Sequence, residues 1–435
     1  MNKSGLVGSG DSGLFRQSTV EAGSNGIFAR TALPSRRSLL GQAGLAALAL
    51  ATTPAWAEAT VKLPLASDPR DRPITNDFPQ KRGVILQRAR PPLLETPFEV
   101  FDRGVFTPNE QFYVRWHWAV IPNAVDVGTF RLAVRGHVNK MLSLSLNDIV
   151  HGLPRVELAA VNQCSGNSRG YFQPRVPGAQ WAHGAMGNAK WTGVRLKDVL
   201  DRAGVKAGAV QVRFNGLDEP VVPDAPDFMK SLDLDHARDG EVMIAYAMNG
   251  EQLPLLNGFP LRLVVPGWYS TYWVKMLSDI EVLDKSDDNF WMTSAYTIPD
   301  TPYANIAPGQ TGVNMVPINR MVPRSFITNI APGGTVPAGA KTLARGIALG
   351  GDVGVTKVDF SSDSGKSWQP ARLGSDYGKY SFRQWEADFT LAEKGTHALM
   401  VRCTNAAGVV QPEVANWNNS AFMRNVIEIT PVSAT

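Results

Sequence analysis

Sulfur and imidazole are scarce in this chain. Its 435 residues hold two cysteines, Cys164 and Cys403, and six histidines, few for a metal enzyme that relies on histidine ligands. No Cys-x-x-Cys-His occurs, which excludes covalent attachment of a c-type haem to this chain. Spacing alone leaves open a disulfide between the two cysteines. Charge is sparse too, at 19% of residues with a net of +4. Five of the 43 basic and two of the 39 acidic residues fall in positions 1–57, so the rest carries a net of +1. That body lacks the positive footprint of a nucleic-acid binder. Nor is there a comfortable membrane span, because the apolar run Ala43 to Ala51 is too short and too rich in small side chains.

Turn formers are what the chain has in quantity. Forty glycines and thirty prolines indicate many turns and a β-rich fold. A hydrophobic content of 44% is that of a soluble globular protein, and the length suits two or three domains.

The leader reads as an export signal. Ser35-Arg36-Arg37-Ser38-Leu39-Leu40 has a twin-arginine pattern, an apolar run follows, and Ala55-Trp56-Ala57 has the small residues a signal peptidase needs. We expect cleavage after Ala57 and delivery to the periplasm, with no membrane span afterwards. The stretch before Ser35 is long for such a signal and suits a downstream start codon.

Chemistry concentrates between Val156 and Gly170. The apolar run Val156 to Val161 reads as a buried strand, and Asn162-Gln163-Cys164-Ser165-Gly166-Asn167-Ser168-Arg169-Gly170 as the loop it opens into. Cys164 at a strand end is well placed for function. Gly166 and Gly170 would let backbone approach a ligand, and Arg169 would favour the thiolate, the form that ligates metals. A lone cysteine is also a common small core residue, and these residues alone leave both readings open.

This loop resembles the cysteine loop of the sulfite oxidase family of molybdenum enzymes, in which the cysteine thiolate binds molybdenum. Four further stretches carry the resemblance in order. Phe112-Tyr113-Val114-Arg115-Trp116-His117 is similar to a segment whose Arg contacts the substrate oxyanion and whose His lies beside the pterin. Trp181-Ala182-His183-Gly184-Ala185, followed by Trp191-Thr192-Gly193-Val194-Arg195-Leu196, resembles the family's second signature and matches Trp181 to a pocket tryptophan. Leu-Ala-Tyr-x-Met-Asn-Gly is echoed by Ile244-Ala245-Tyr246-Ala247-Met248-Asn249-Gly250, which implies that the Tyr246 hydroxyl faces the metal pocket. Val265-Pro266-Gly267 and the following Lys275 resemble the loop that holds the pterin and its phosphate, and Asp218 sits where the family often contacts the cofactor.

Seven prolines between Ile298 and Gly339 suggest a connecting region. Beyond Ala344, strand-like runs at Val355 to Phe360, Ser367 to Leu373, Tyr380 to Leu391, Thr396 to Thr404 and Arg424 to Ile429 suggest a small antiparallel sandwich, with a hairpin turn at Asp363-Ser364-Gly365-Lys366. The family carries an immunoglobulin-like dimerisation domain here, to which we assign structure and assembly. Vertebrate members have an arginine in a Trp-Asn-x-Arg segment, whereas this chain has Trp417-Asn418-Asn419-Ser420; Arg383 is the candidate replacement.

The expected fold is α+β: a mixed α/β molybdopterin-binding domain at 58–298, a proline-rich connection at 299–343 and an all-β immunoglobulin-like sandwich at 344–435, after a signal peptide at 1–57. The resemblance implies oxidation of sulfite to sulfate at a molybdenum centre with one pterin. Cys164 would be the metal ligand; His117, Asp218, Gly267 and Lys275 would bind the cofactor. Arg115, Arg169, Trp181, Tyr246 and Arg383 would shape the substrate site. With no haem on this chain, electrons would pass to an external cytochrome c, the chain forming a homodimer or a heterodimer with a cytochrome subunit. The rivals are a sulfane dehydrogenase subunit of thiosulfate oxidation, a methionine sulfoxide reductase, which lacks the sandwich, and an exported metal-free binding protein. N-terminal sequencing of the exported protein should read from Glu58; an intact leader on it would defeat the signal assignment.

Overall fold

The computed structural model describes residues 59–435, so the export signal and its cleavage site lie outside the described residues. The central sheet is built on a long hairpin-like pair. Strand Arg155–Gln163 runs antiparallel to Met186–Arg195, in register from Arg155↔Val194 to Gln163↔Met186. The first four residues of Arg155–Gln163 are only partly covered, and the last five are buried. The strand thus enters the core as it approaches Cys164. Met186–Arg195 pairs on its other edge with Met243–Met248, which in turn pairs with Arg262–Val264. All six residues of Met243–Met248 are buried, as expected of a strand covered on both faces.

A second sheet has the order Met229–Asp233, Gln211–Asn215, Asp279–Leu283, Leu132–Gly136 and Leu142–Leu144. The helices are short and sit where their caps predict. Ser145 and Asp148 form a reciprocal capping box at Leu146–Val150. Leu196–Ala203 stops at Gly204, whose φ of +69° favours glycine. Residues 59–97 supply four strands, Thr60–Lys62, Asp71–Thr75, Val84–Arg88 and Leu93–Glu95. These form a meander that ends on Val114–Arg115. Leu93–Glu95 is buried throughout, which erases the alternation that would have flagged it.

The C-terminal sandwich packs two sheets. One is ordered Arg324–Ile327, Thr342–Leu349, Arg383–Phe389, Arg372–Leu373. The other is ordered Gly334–Val336, Ile429–Ala434, Gly395–Asn405, Val355–Ser361, Gln369–Pro370. Trp385, Phe360, Leu399, Val401 and Cys403 meet between them. Each such side chain contributes about 1.5–3 kcal/mol by leaving water. Two expectations need correction. The sandwich begins before 344, because Arg324–Ile327 and Gly334–Val336 pair into its sheets. The final strand is Ile429–Ala434, not Arg424 to Ile429, because Arg424 and Glu428 are drawn into a buried ionic cluster.

The two halves share one apolar cluster, in which Val161, Met186 and Tyr269 meet Phe326, Leu349, Phe382 and Phe422. The Val161 amide donates to Tyr380 O at 2.8 Å, and Asn188 Nδ2 donates to Ser381 Oγ at 2.8 Å. The strand that delivers Cys164 is therefore braced by the sandwich.

Candidate active site

Cys164 leaves the central sheet beside a cavity whose wall it lines. Its amide donates to Ala185 O at 2.9 Å and its carbonyl accepts from Asn167 N at 3.0 Å, so the main chain holds the thiol in place. Both cysteines are free, and burial pushes the Cys403 thiol up to about 12, an inert core thiol. Arg115 and His117 enter the cavity from the segment after Val114, Arg262 from its buried strand, and Ser270, Thr271, Trp273 and Lys275 from the loop that follows it.

The wall is cationic. Arg115, Arg262 and Lys275 line it, and among the described residues no Asp or Glu does. Burial, then the charge of Arg262, pushes the Lys275 ammonium down to about 7, while Asp218 works the other way. Lys275 Nζ donates to Arg115 O at 2.9 Å and lies 4.4 Å from the Trp116 ring centroid. Burial also lowers Arg262 to about 10, and its guanidinium rests 4.9 Å from Trp191 and 5.7 Å from Trp273. His117 is held well below its ordinary value by burial and by Arg115, Lys275 and Lys230, so it is neutral. Its Nε2 lies 2.6 Å from Tyr296 Oη. Burial pushes the Tyr296 phenol up, so it keeps its proton.

Six buried polar atoms on this wall have no partner: Arg115 Nη1, Arg262 Nε, Asn162 Nδ2, Ser165 Oγ, Thr271 Oγ1 and Asn257 Oδ1. Leaving one such atom unsatisfied costs about 1–3 kcal/mol. Six around one cavity mark a place for a ligand that is polar and predominantly anionic. Among the described residues no three His, Cys, Asp or Glu side chains gather to hold a metal ion. A metal beside Cys164 must therefore arrive with most of its ligands, and a pterin dithiolene with a phosphate tail fits that demand and this wall.

Arg169 lies behind the loop, outside the cavity lining but within electrostatic range of Cys164. Its Nη2 donates to Ser420 O at 2.8 Å, its guanidinium lies 5.5 Å from the Phe422 ring, and its Nε is buried without a partner. Burial lowers its pKa, with the neighbouring Cys164 thiol and Tyr296 phenol working the other way. Gly166 serves this arginine rather than a ligand. A Cβ there would fall 2.8 Å from Arg169 Nη2, and one at Gly178 would fall 2.2 Å from Nη1. The sandwich thus shapes the site, a role beyond the assembly expected of it.

The remaining expected residues scatter. Asp218 is buried behind the wall and pushed up to about 6 by burial, with Lys275 pulling it back. Trp181 is fully buried and is not part of the lining; its carbonyl accepts from Gly170 N. Tyr246 lies between Ala245↔Gly193 and Ala247↔Thr192. Cys164 follows the other end of that sheet, at Gln163↔Met186, roughly 20 Å away by strand rise. Tyr246 is therefore not the pocket tyrosine. Gly267 packs on the sandwich, where a Cβ would sit 2.7 Å from Asp352 Cα, and does not reach the cavity. Arg383 is ion-paired with Asp376 at 2.6 Å and lines a separate groove, so it does not replace the missing arginine.

Tyr296 and Arg262 were missed. Tyr296 follows the fourth matching stretch by about twenty residues, in a segment with no periodic pattern. Its signal was a cluster of aromatics, Phe290, Trp291 and Tyr296, just before the prolines. Arg262 reads as an ordinary strand arginine until its complete burial is seen.

Comparison with known proteins agrees with this architecture. Residues 118–291 match the oxidoreductase molybdopterin binding domain, and residues 316–430 the Mo-co oxidoreductase dimerisation domain. These make the chain a molybdopterin oxidoreductase. Sulfite oxidase of Gallus gallus is 32% identical over 375 residues, covering 82% of this chain and 79% of its own. Mitochondrial sulfite oxidase of Homo sapiens is 33% identical over 371 residues, covering 81% and 66%. The sulfane dehydrogenase SoxCD from Paracoccus pantotrophus superposes with a TM-score of 0.65 at 27% identity, covering 78% of this chain and 83% of that one. The chain belongs to the sulfite oxidase family.

One buried cluster ties the cysteine loop to the sandwich. Arg324 Nη2 donates to Ser168 Oγ at 3.1 Å and to Glu428 Oε1 at 3.3 Å, and Arg424 grips Glu428 with two bonds at 3.0 and 2.9 Å. Burial raises the Glu428 pKa, but His183, Arg424 and Arg324 outweigh it and hold the carboxyl at about 2. A depressed folded pKa means stability that is present above the ordinary value near 4.5 and lost as pH falls toward 2. That loss should be on the order of 2–3 kcal/mol. Glu428→Gln should cost about 3–5 kcal/mol at pH 7, since two guanidiniums lose their counter-charge. Urea denaturation of both proteins between pH 7 and pH 3 checks this: the gap should narrow on acidification, and a constant gap would refute the assignment.

Proposed function

We propose that this chain oxidises sulfite to sulfate at a molybdenum–pterin centre held by the Cys164 thiolate. We further propose that it works in the periplasm and gives its electrons to an external cytochrome c. The observation that carries this reading is the Cys164 cavity, with its buried cations, unpartnered polar atoms and absence of carboxylates. Bound there, the cofactor would supply the two-electron redox chemistry. Cys164 would ligate the metal, and Arg262, Lys275 and Asn257 would pair with the pterin and its phosphate.

The protein's own side chains do the rest. Arg115 and Arg169 each offer a planar fork that pairs with the oxygens of a small dianion. Neutral His117 and protonated Tyr296 add a hydrogen bond without further positive charge. Tyr296 Oη can donate to His117 Nε2 or to an oxyanion in the cavity, so it can hold a proton at either atom. The buried walls keep bulk water from screening these contacts.

Sulfane oxidation is the second reading, favoured by the likeness to SoxCD. Both substrates are sulfur oxyanions or their carriers, and the same cationic wall suits either. Initial rates with sulfite and with a sulfane-bearing thiosulfate derivative, cytochrome c as acceptor, separate the two. We expect sulfite to be preferred; preference for the sulfane would select the rival. Arg169→Gln should raise the sulfite KM by about 10–100-fold, the worth of one charged hydrogen-bond pair, with kcat changed much less. An unchanged KM would mean that Arg169 packs rather than binds.

A further inference from the structure

Electrons leaving a buried centre need a way out, and the structure holds a continuous aromatic path from the cavity to the surface. The His117 ring stacks on Phe228 with centroids 3.5 Å apart. Phe228 meets Trp291 edge-on at 5.1 Å, and Trp291 meets Phe290 at 5.2 Å. His117 and Phe228 line the cavity, whereas Phe290 is 46% exposed.

The surface around that exit is apolar at its centre. Trp291 Nε1 donates to Pro226 O at 3.1 Å, fastening the path to the 219–228 loop, and Val120 bridges to Glu219 in the same loop. In that loop Val221 and Val222 stand 55% and 54% exposed, and Val120 is 39% exposed. The two segments that form the exit, 219–228 and 284–291, hold six acidic residues and one basic one, Lys285. Asp287 is committed to Arg213 and Ser231, but Glu219, Asp224, Asp284 and Asp288 are exposed. The chain beyond residue 57 is almost neutral, so this acidity is a local feature.

We propose that this patch is the docking surface for a small soluble one-electron carrier whose cofactor edge is apolar and ringed by lysines, and that Phe228, Trp291 and Phe290 are the contacts through which electrons leave. The proposal rests on the functional reading above. Oxidation of sulfite with one water to sulfate releases two protons and two electrons, and two oxidised carriers, docking in turn, each accept one electron. The acidic rim would steer a basic carrier and orient it, a contribution that salt weakens. The apolar centre would lose water on contact, as the middle of a transient interface does.

The test compares two acceptors and adds a binding measurement. A lysine-rich mitochondrial-type cytochrome c is the docking probe; ferricyanide, small and anionic, needs no docking surface. Asp224→Asn combined with Asp288→Asn should leave ferricyanide-coupled sulfite turnover within twofold, and separately Phe290→Ala should weaken cytochrome c binding and raise its KM at least fivefold. The double variant should raise the KM for cytochrome c at least fivefold and flatten its dependence on salt between 20 and 200 mM, reading ~1.4 kcal/mol per tenfold. Titration of oxidised cytochrome c into the protein at low salt should show the same weakening without any turnover. Unchanged cytochrome KM, salt slope and binding in both variants would overturn the docking surface. Absence of sulfite turnover with either acceptor, while binding still weakens in the variants, would overturn the sulfite reading and leave the surface standing.

Discussion

Uncompensated positive charge around one thiol is the constraint that the rest of the structure accommodates. Arg115, Arg262 and Lys275 are brought out of water on one cavity wall with no carboxylate facing them. Isolated buried charge is among the costliest things a fold can hold. The protein softens the cost in two ways. Indole rings of Trp116, Trp191 and Trp273 lie against Lys275 and Arg262, where their electron-rich faces attract cations. Lys275 sits near its point of neutrality at about 7, with Asp218 behind it. What is left over, an unsatisfied guanidinium nitrogen on each of Arg115 and Arg262, is free to recognise an anionic ligand.

The same constraint explains why the sandwich cannot be separated from the chemistry. Arg169 approaches the thiol from outside the central sheet, held by the Ser420 carbonyl and the Phe422 ring of the sandwich. Behind it, Ser168 is gripped by Arg324 and lies 2.8 Å from His183, with Glu428 neutralising the arginines. Glycines at 166 and 178 clear the path that this arginine takes. A loop that looks made for ligand contact is thus also made to let one side chain pass.

How much of this could be read from residues alone depends on the range of the interaction. Local rules worked well: the buried strand that ends at Cys164 is decided within a few residues. Short motifs also located Arg115, His117, Cys164 and Lys275, which converge from three separate segments on one cavity. Failures came where position depends on pairing across the chain. Tyr246 sits in a convincing motif, yet its register in the sheet carries it far from the thiol, while Tyr296, with no motif, is delivered by the fold. Arg383 looked free in sequence because Asp376, seven residues away, gave no hint that it would pair with it. The early boundary of the sandwich was hidden because two of the seven prolines, Pro332 and Pro337, flank its short strand Gly334–Val336.

The most direct test of the account is X-ray absorption at the molybdenum edge on protein loaded with the metal, with and without Cys164→Ser. The account predicts that the substituted protein remains folded and that its metal has one sulfur neighbour fewer than the unsubstituted protein. An identical sulfur count in the two, or a chain that takes up no molybdenum at all, would contradict it.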